Sequence, residues 1–196
     1  NGIDFQFKLQ FPSKNTIFLD REILPNTKSP FILHPEIDEI NKQELRFPFR
    51  FGCTLEQIIE QNKKNRFLEA TDKFIISIQI ITAIKDLYTQ NESNTKYMNR
   101  KISDRSFFID YLKNAYLFTI SDDNMNKAFE KDNIKDQKSK DIYTIKILLS
   151  EIFREINPSD VLRSNQSYIW YHNHHDDLNK FFNRFNKEYK NFDDII

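Results

Sequence analysis

The stretch that decides the fold is Asp141 to Phe153, with the sequence DIYTIKILLSEIF. Most of these residues are apolar or aromatic, and at the periodicity of an α-helix they fall on more than one face. A helix that is apolar nearly all round packs inside a domain, with other elements about it. We therefore predict a buried helix that begins at Lys140 and Asp141 and ends before Pro158 and Ser159. Asp141 either caps free backbone N–H groups at the helix start or reaches another segment.

Composition limits the classes of function open to the chain. Its 196 residues suffice for one domain with a core, or for a compact two-lobed domain. Lys and Arg number 29, as do Asp and Glu, so no global field points to nucleic acid or to an acidic membrane surface. Gly2 and Gly52 are the only glycines. A glycine-rich phosphate loop, and with it the Rossmann fingerprint and the P-loop, is therefore excluded.

Cysteine usage and hydropathy bear on the compartment. Cys53 is the only cysteine, so neither a disulfide framework nor a thiolate metal cluster can form within the chain. A cytoplasmic or nuclear location fits this usage best. No apolar run approaches the ~18 residues of a membrane helix and no signal-peptide pattern is present, so we expect a soluble protein. Cys53 is expected to be a packed residue rather than an activated thiolate.

The N-terminal quarter predicts a small sheet. Apolar and polar residues alternate from Asp4 to Phe11 and again from Glu44 to Phe51, which is typical of strands with one buried face. Between them, Thr16 to Leu24 predicts one or two helical turns before prolines interrupt the chain.

Helical signals follow Gly52. Thr54 with Gln57 makes a capping-box-like start for a short helix through Ile59, followed by a solvated run. Residues from Phe67 to about Gln90 predict the longest helix, with an apolar series at helical spacing that includes Phe74 and Ile78.

Two short apolar segments and a C-terminal helix complete the pattern. Phe107 to Ile109 and Ala115 to Phe118 are separated by the turn Asp110 to Asn114, which indicates paired strands. The segment from Ser121 to Lys140 is polar, and its pattern predicts little regular secondary structure. Leu178 to Phe185 predicts an amphipathic helix.

This order of elements resembles the protein kinase fold. Lys140 to Phe153 resembles the family's central helix, usually written Asp-Val-Tyr-Ser-Phe-Gly-x-Leu-Leu-x-Glu-Ile. In the family that Asp holds the backbone of the catalytic loop from below, and the resemblance implies the same role for Asp141.

The segment Asn99 to Asp110 lies where the family has His-Arg-Asp-Leu-Lys-Pro-x-Asn-Ile-Leu-Ile-Asp. Arg100 and the apolar run match, but three functional positions are replaced. The proton-accepting Asp becomes Lys101, the phosphate-binding Lys becomes Ser103 and the metal-binding Asn becomes Ser106. Thr119-Ile120-Ser121 aligns with the family's Asp-Phe-Gly, so the metal-chelating carboxylate becomes Thr119.

These replacements imply that phosphoryl transfer is lost. The reaction depends on positioned Mg²⁺ ions and on a carboxylate that accepts the hydroxyl proton. With Lys101 and Thr119 in place of two acids, the site gains one positive charge and loses two negative charges. We therefore expect no catalytic residue, no bound metal and no cofactor.

The activation segment is also short by this resemblance. Ala128-Phe129-Glu130 resembles the Ala-Pro-Glu that closes it, which leaves only Asp122 to Lys127, without a Ser, Thr or Tyr. The resemblance implies that Glu130 pairs with a buried downstream arginine. Arg184 is the first candidate and Arg163 the second.

The upstream match is looser. Lys8 could stand for the strand lysine that contacts the nucleotide, and Glu22 in Arg-Glu-Ile resembles the regulatory helix. His34-Pro35-Glu36-Ile37 resembles the family's His-Pro-Asn-Ile. Surface charges are the alternative reading of Lys8 and Glu22. Few residues precede Lys8, so the first two strands and their glycine loop are missing or lie outside this chain.

Two other clusters carry weaker hypotheses. A histidine and aspartate run invites a metal interpretation, yet adjacent histidines do not easily face one ion, and a polar loop entering a helix is favoured. It comprises His172, His174, His175, Asp176 and Asp177. A small basic patch could meet a phosphate or an acidic partner, although a solvated loop is favoured. It comprises Lys96, Arg100, Lys101 and Arg105.

The sequence therefore predicts an α+β, protein kinase-like domain with a reduced N-terminal sheet over residues 1–52 and a mainly helical region over 53–196. We expect a catalytically inactive pseudokinase that acts as a scaffold or regulatory subunit through protein partners, with nucleic acid and membrane disfavoured. One alternative is an atypical nucleotide-binding enzyme in which Lys101 or Lys8 engages a phosphate. The other is an unrelated α+β binding protein that uses the basic patch.

Overall fold

A computed structural model describes residues 6–10, 27–37, 44–48, 50–65, 68–91, 100–118, 121–122 and 137–153, together with 173, 176, 177, 180, 183 and 184. The described part is an α+β structure, as the sequence predicts. In chain order its elements are β1 (Gln6–Gln10), β2 (Glu36–Ile37), β3 (Glu44–Pro48), β4 (Gly52–Thr54), α1 (Leu55–Asn65), α2 (Ala70–Asn91), β5 (Arg100–Lys101), β6 (Phe107–Asp110), β7 (Ala115–Leu117), β8 (Ser121–Asp122) and α3 (Gln137–Ile152).

The N-terminal sheet has the order β1-β3-β2, and both pairs are antiparallel. Phe7 lies opposite Phe47, and Phe47 is fully buried, as expected for one face of an alternating strand. The predicted small sheet is confirmed. The predicted helical turns at Thr16 to Leu24 lie outside the described residues.

A second sheet, with the order β4-β6-β7, forms the centre of the described structure. The hairpin of β6 and β7 confirms the predicted strand pair, and Phe108 lies opposite Tyr116. Gly52 lets β4 lie against β6, because a Cβ atom at this position would stand 2.1 Å from the carbonyl oxygen of Ile109. A backbone atom cannot rotate away, so the close approach requires glycine.

Both faces of the central sheet are covered, which explains why all four residues of β6 are buried. Its first face joins Ile109 and Leu117 to the large apolar cluster formed with the three helices. Its second face packs against the N-terminal sheet through a smaller cluster of Leu33, Phe47, Phe108 and Phe118. The rings of Phe47 and Phe118 meet edge-on with centroids 6.0 Å apart.

Helix α1 begins as the sequence predicts but ends later. The backbone N–H of Thr54 donates to Gln57 Oε1 at 3.0 Å, and the N–H of Gln57 donates to Thr54 Oγ1 at 3.3 Å, which completes the capping box. The predicted end at Ile59 is wrong, since the helix continues to Asn65. Asn62 lies in the run that the sequence predicts to be solvated, yet it is buried. Its Oδ1 accepts the backbone N–H of Leu68 at 2.9 Å, which ties the end of α1 to the segment before α2.

Helix α2 buries only part of the predicted apolar series. The series also includes Ile81, Ile84 and Leu87, and these three residues are buried as predicted. Phe74 and Ile78 are exposed instead, and Ile76 and Ile80, which the series leaves out, are fully buried. Apolar residues occur all round this helix, so its pattern did not select one face. Contact with β7 and α3 decided which stripe lies in the core.

Helix α3 is the predicted central helix with corrected limits. It begins at Gln137 and ends at Ile152, so Asp141 lies in its second turn and does not cap it. Asp141 is 2% exposed. The expectation of burial all round is wrong in part, because Tyr143 is 56% and Ile147 is 47% exposed. Within the described ranges, no helix combines the length and the apolar character needed to cross a membrane.

Candidate functional site

The candidate site is the segment Arg100–Asp110, which holds most of the positions predicted to be catalytic or degenerate. Its first residues form β5, which pairs antiparallel with β8: Arg100 lies opposite Asp122 and Lys101 lies opposite Ser121. Long helix α2 precedes the segment and α3 follows it in the chain. Thr119, the fourth replaced position, lies outside the described residues.

The two serines of the segment form a capping box around a short 3-10 turn, Asp104–Ser106. Ser103 Oγ accepts the N–H of Arg105 at 3.3 Å, and Ser106 Oγ accepts the N–H of Ser103 at 3.1 Å. Ser106 is buried. Both hydroxyl oxygens therefore satisfy backbone donors of the loop itself, which is the ordinary role of such side chains at a helix start.

Arg105 pairs with helix α1. Its Nε and a terminal guanidinium nitrogen donate to Glu56 Oε1 at 2.9 and 2.7 Å. The hydrogen bond and the negative charge of Glu56 raise the pKa of Arg105 above its ordinary value. Because the guanidinium is exposed, this pair fixes geometry more than it adds stability. It also neutralises one member of the predicted basic patch, and Lys96 of that patch lies outside the described residues.

Asp110 ends the segment inside a closed polar network. It is buried, and its Oδ1 accepts the backbone N–H of Asn114 at 2.8 Å while Oδ2 accepts the hydroxyl of Tyr116 at 3.3 Å. Asn114 Oδ1 accepts the side-chain amide of Gln79 at 3.2 Å. Gln79 Oε1 in turn accepts the N–H of Ala115 at 2.7 Å. The network ties helix α2 to the β6–β7 turn and leaves the carboxylate engaged in structure.

Sequence reasoning missed the link to α2 because Gln79 is 35 residues from its partner Asn114 in the chain. The sequence of the turn itself carries a local signal, because Asp110 and Asn114 are short polar residues of the kind that favour turns. In the structure, Lys113 of this turn has a φ of 66°. Lys113 also forms an ion pair with Asp72 of α2. Burial, followed by the charge of Asp110, raises the pKa of the Tyr116 hydroxyl.

A cleft of about 380 Å³ lies beside the 3-10 turn, between α1 and the end of α3. Four carboxylates line it, yet most are already compensated. Lys63 contacts Glu60 at 2.6 Å and Glu151 at 3.9 Å, and Glu56 is held by Arg105. Among the residues that the structure describes, no group of three or more His, Cys, Asp or Glu side chains is arranged to hold a metal ion.

The remaining predicted residues are only partly placed. Lys8 lies in β1 opposite Arg46 of β3, while its predicted companion Glu22 lies outside the described residues. Arg184 is helical and exposed. Glu130 and Arg163 also fall outside the described ranges, so the predicted pair of Glu130 stays a prediction.

Two minor expectations, on Cys53 and on the histidine and aspartate run, can be compared with the structure. Cys53 is partly buried against the large core cluster, and burial raises the pKa of its thiol, so it is a packed residue and not an activated thiolate. Asp176 and Asp177 are helical and exposed, whereas the three neighbouring histidines lie outside the described residues.

Comparison of the chain with models of known protein families gives no match, and comparison with curated proteins finds no similar sequence. In the Arg100–Asp110 segment, Ser103, Ser106 and Asp110 accept hydrogen bonds from the loop and the adjoining hairpin, and Arg105 pairs with Glu56 of α1.

Proposed function

We propose that this chain is a catalytically inactive, protein kinase-like domain that serves as a scaffold or regulatory subunit through contacts with other proteins. The observation that carries the proposal is the capping box of Ser103 and Ser106. These serines stand where the family resemblance requires a phosphate-binding lysine and a metal-binding asparagine. Their hydroxyl oxygens accept backbone N–H groups of the loop, which gives both side chains a structural role there.

The order of strand pairings supports the same proposal. A long helix, a hairpin of β6 with β7 and a helix with a buried aspartate follow one another in the order that the resemblance implies. Asp141 is buried although a carboxylate is costly to bury, which is consistent with a structural role toward a neighbouring backbone.

Charge also supports the loss of catalysis. Lys101 and Thr119 stand where the resemblance requires two carboxylates, and a Mg²⁺ ion needs oxygen ligands with negative charge. Asp110, the acid that ends the segment, has oxygens that already accept hydrogen bonds from Asn114 and Tyr116.

A binding role is supported by apolar surface in a chain of zero net charge. Phe51, Tyr111 and Leu112 are all more than half exposed and lie at one end of the central sheet. Large apolar side chains that are grouped at the surface of a protein often mark a site of contact with another protein.

The test is a thermal-unfolding and phosphotransfer assay with Mg²⁺ and ATP. We expect the native chain to show neither Mg²⁺-dependent stabilisation nor transfer to a generic protein substrate. The double variant Lys101→Asp with Thr119→Asp restores the two acids, and we expect it to gain Mg²⁺-dependent stabilisation. The matched control is Lys101→Asn with Thr119→Asn, which changes shape similarly without adding charge. Phosphotransfer by the native chain would contradict the proposal.

A further inference from the structure

The outward side of helix α3 carries a group of side chains that lie outside the core. Tyr143, Lys146 and Ile147 follow one another at the i, i+3 and i+4 spacing, so they are neighbours on one side of the helix. Tyr143 and Ile147 are exposed, and Lys146 is partly exposed. The opposite side of α3, which includes Ile145 and Leu149, belongs to the large apolar cluster. The three outward side chains therefore form one surface that faces away from the core.

Helix α2 adds an apolar residue to this surface. The rings of Phe74, in the second turn of α2, and Phe153, just after α3, meet edge-on with centroids 5.1 Å apart. The two helices also pack on each other, so they run side by side in opposite directions. Ile78 lies one turn after Phe74 and is 49% exposed, and Lys146 lies two turns before Phe153 on the same side of α3. We call the combined surface the α2–α3 face, and it comprises Ile78, Tyr143, Lys146 and Ile147.

Lys146 gives the α2–α3 face a positive charge. Over the ranges that the structure describes, its ammonium group contacts no carboxylate. Glu151, one turn after Ile147, contacts Lys63 of α1 at 3.9 Å, and Asp141 is buried on the core side of α3. The face therefore combines apolar side chains with a cation that no described acid neutralises.

The chemistry of the α2–α3 face matches an amphipathic helix with acidic residues. Such a helix lays its apolar stripe along the surface of neighbouring helices, and an Asp or Glu beside the stripe complements Lys146. A second copy of the chain matches less well. In a two-fold contact the face would meet itself, so Lys146, which lies between Tyr143 and Ile147, would stand close to Lys146 of the second copy. Single-stranded nucleic acid requires a groove with several cations, which one lysine does not provide.

We propose that the α2–α3 face docks an amphipathic helix of a partner protein. The apolar stripe of that helix packs on Ile78, Tyr143 and Ile147, and an Asp or Glu beside the stripe pairs with Lys146. This inference deepens the proposed function and rests on it, because it names the class of partner that an inactive scaffold would hold and the surface that holds it.

The experiment is selection of displayed helical peptides of about 18 residues on the immobilised full chain. Native protein is expected to enrich peptides that have an apolar stripe flanked by Asp or Glu. The Lys146→Glu variant is expected to bind the best synthetic peptide about tenfold more weakly, and a peptide with Lys in place of the acid is expected to restore the affinity. Lys64→Glu makes the same charge change at an exposed lysine of α1 and serves as the matched control, which leaves the affinity unchanged.

A second pair of variants tests the apolar contact. Ile147→Ser is expected to weaken the selected peptide by about tenfold, because it removes apolar area that the peptide covers. Leu112→Ser makes a similar change at an exposed apolar residue of the β6–β7 turn and is expected to leave the affinity unchanged. Circular dichroism of each variant separates lost binding from lost folding.

Three results would overturn the inference. They are the absence of enrichment on folded native chain, equal peptide affinity of native and Lys146→Glu proteins, and self-association of the native chain that Ile147→Ser abolishes, since a second copy would then be the occupant. Phosphotransfer activity is measured separately, so a failure of the peptide selection is distinguishable from a failure of the proposed function.

Discussion

Two neighbouring regions of the structure place their side chains in opposite environments. In the Arg100–Asp110 segment, Ser103, Ser106 and Asp110 turn their oxygens to donors of the loop and hairpin. In the β6–β7 turn, which starts at the next residue, Tyr111 and Leu112 turn large apolar groups to solvent. A polar group that is already satisfied has little to offer a ligand, whereas exposed apolar surface gains free energy when it is covered. Covering the exposed turn would therefore gain more free energy than covering the loop.

The largest expected effect concerns the residue that joins the two regions. Gly52→Ala places a Cβ 2.1 Å from the Ile109 carbonyl oxygen and 2.9 Å from the Asp110 Cα. Because both neighbours are backbone atoms, β4 must move away from β6, and we expect the free energy of unfolding to fall by about 3 kcal/mol. Urea denaturation measures it. The adjacent Phe51→Ala change is the control, and equal stability of the two variants would refute the close-approach argument.

The next effect tests whether Asp110 is structural. Asp110→Ala leaves the N–H of Asn114 and the hydroxyl of Tyr116 without their acceptor, so we expect a loss of about 2 kcal/mol in the free energy of unfolding. Asp104→Ala removes a nearby carboxylate of the same loop and is expected to change stability by less than about 0.5 kcal/mol. A near-neutral Asp110→Ala would mean that the network contributes little and that the comparison between the regions is overstated.

The capping box gives a smaller and more specific test. Ser103→Ala and Ser106→Ala should each lower the free energy of unfolding by about 1 kcal/mol. Because the two side chains act on one turn, the double variant should cost less than the sum of the single variants. A double-mutant cycle by chemical denaturation measures the coupling. Strict additivity would indicate that the serines do not act together.

Substitutions of the exposed apolar residues at the end of the central sheet should leave folding nearly unchanged. Phe51→Ser and Tyr111→Ser remove exposed side chains, so we expect each to change the free energy of unfolding by no more than about 0.5 kcal/mol. Thermal unfolding of each variant measures the change. A clear fall in stability would show that these side chains contribute to the fold.

The smallest effect is a dependence of stability on alkaline pH. The pKa of Tyr116 is raised in the folded state, so the folded chain keeps this proton at a pH where the unfolded chain releases it. The contribution is complete below the ordinary tyrosine pKa of about 10 and is lost as pH rises toward the folded value. Tyr116→Phe should flatten this part of the stability curve, and the remaining slope should reflect Cys53, whose pKa is also raised. A pH dependence of stability that Tyr116→Phe leaves unchanged would contradict the raised pKa of Tyr116.

The local elements are predictable from the sequence because the residues that determine them lie close together in the chain. Thr54 and Gln57 are three residues apart, so their reciprocal hydrogen bonds follow from one helical turn. The β6–β7 hairpin follows from two apolar segments around a polar turn. Motif spacing singles out Lys101, Ser103 and Ser106, but the capping box depends on Ser103 and Ser106 facing each other across a 3-10 turn, which the family motif does not specify.

The sequence by itself determined an α+β chain with a small alternating sheet, a capped helix, a hairpin and an apolar helix, because these depend on contacts within a few residues. Tertiary structure alone decided that Ile76 rather than Ile78 enters the core and that Tyr143 remains exposed. It also decided that Asp110 reaches Gln79 through Asn114. The physical reason is that burial depends on which distant surface covers a residue, and an apolar pattern without a single face does not specify that surface.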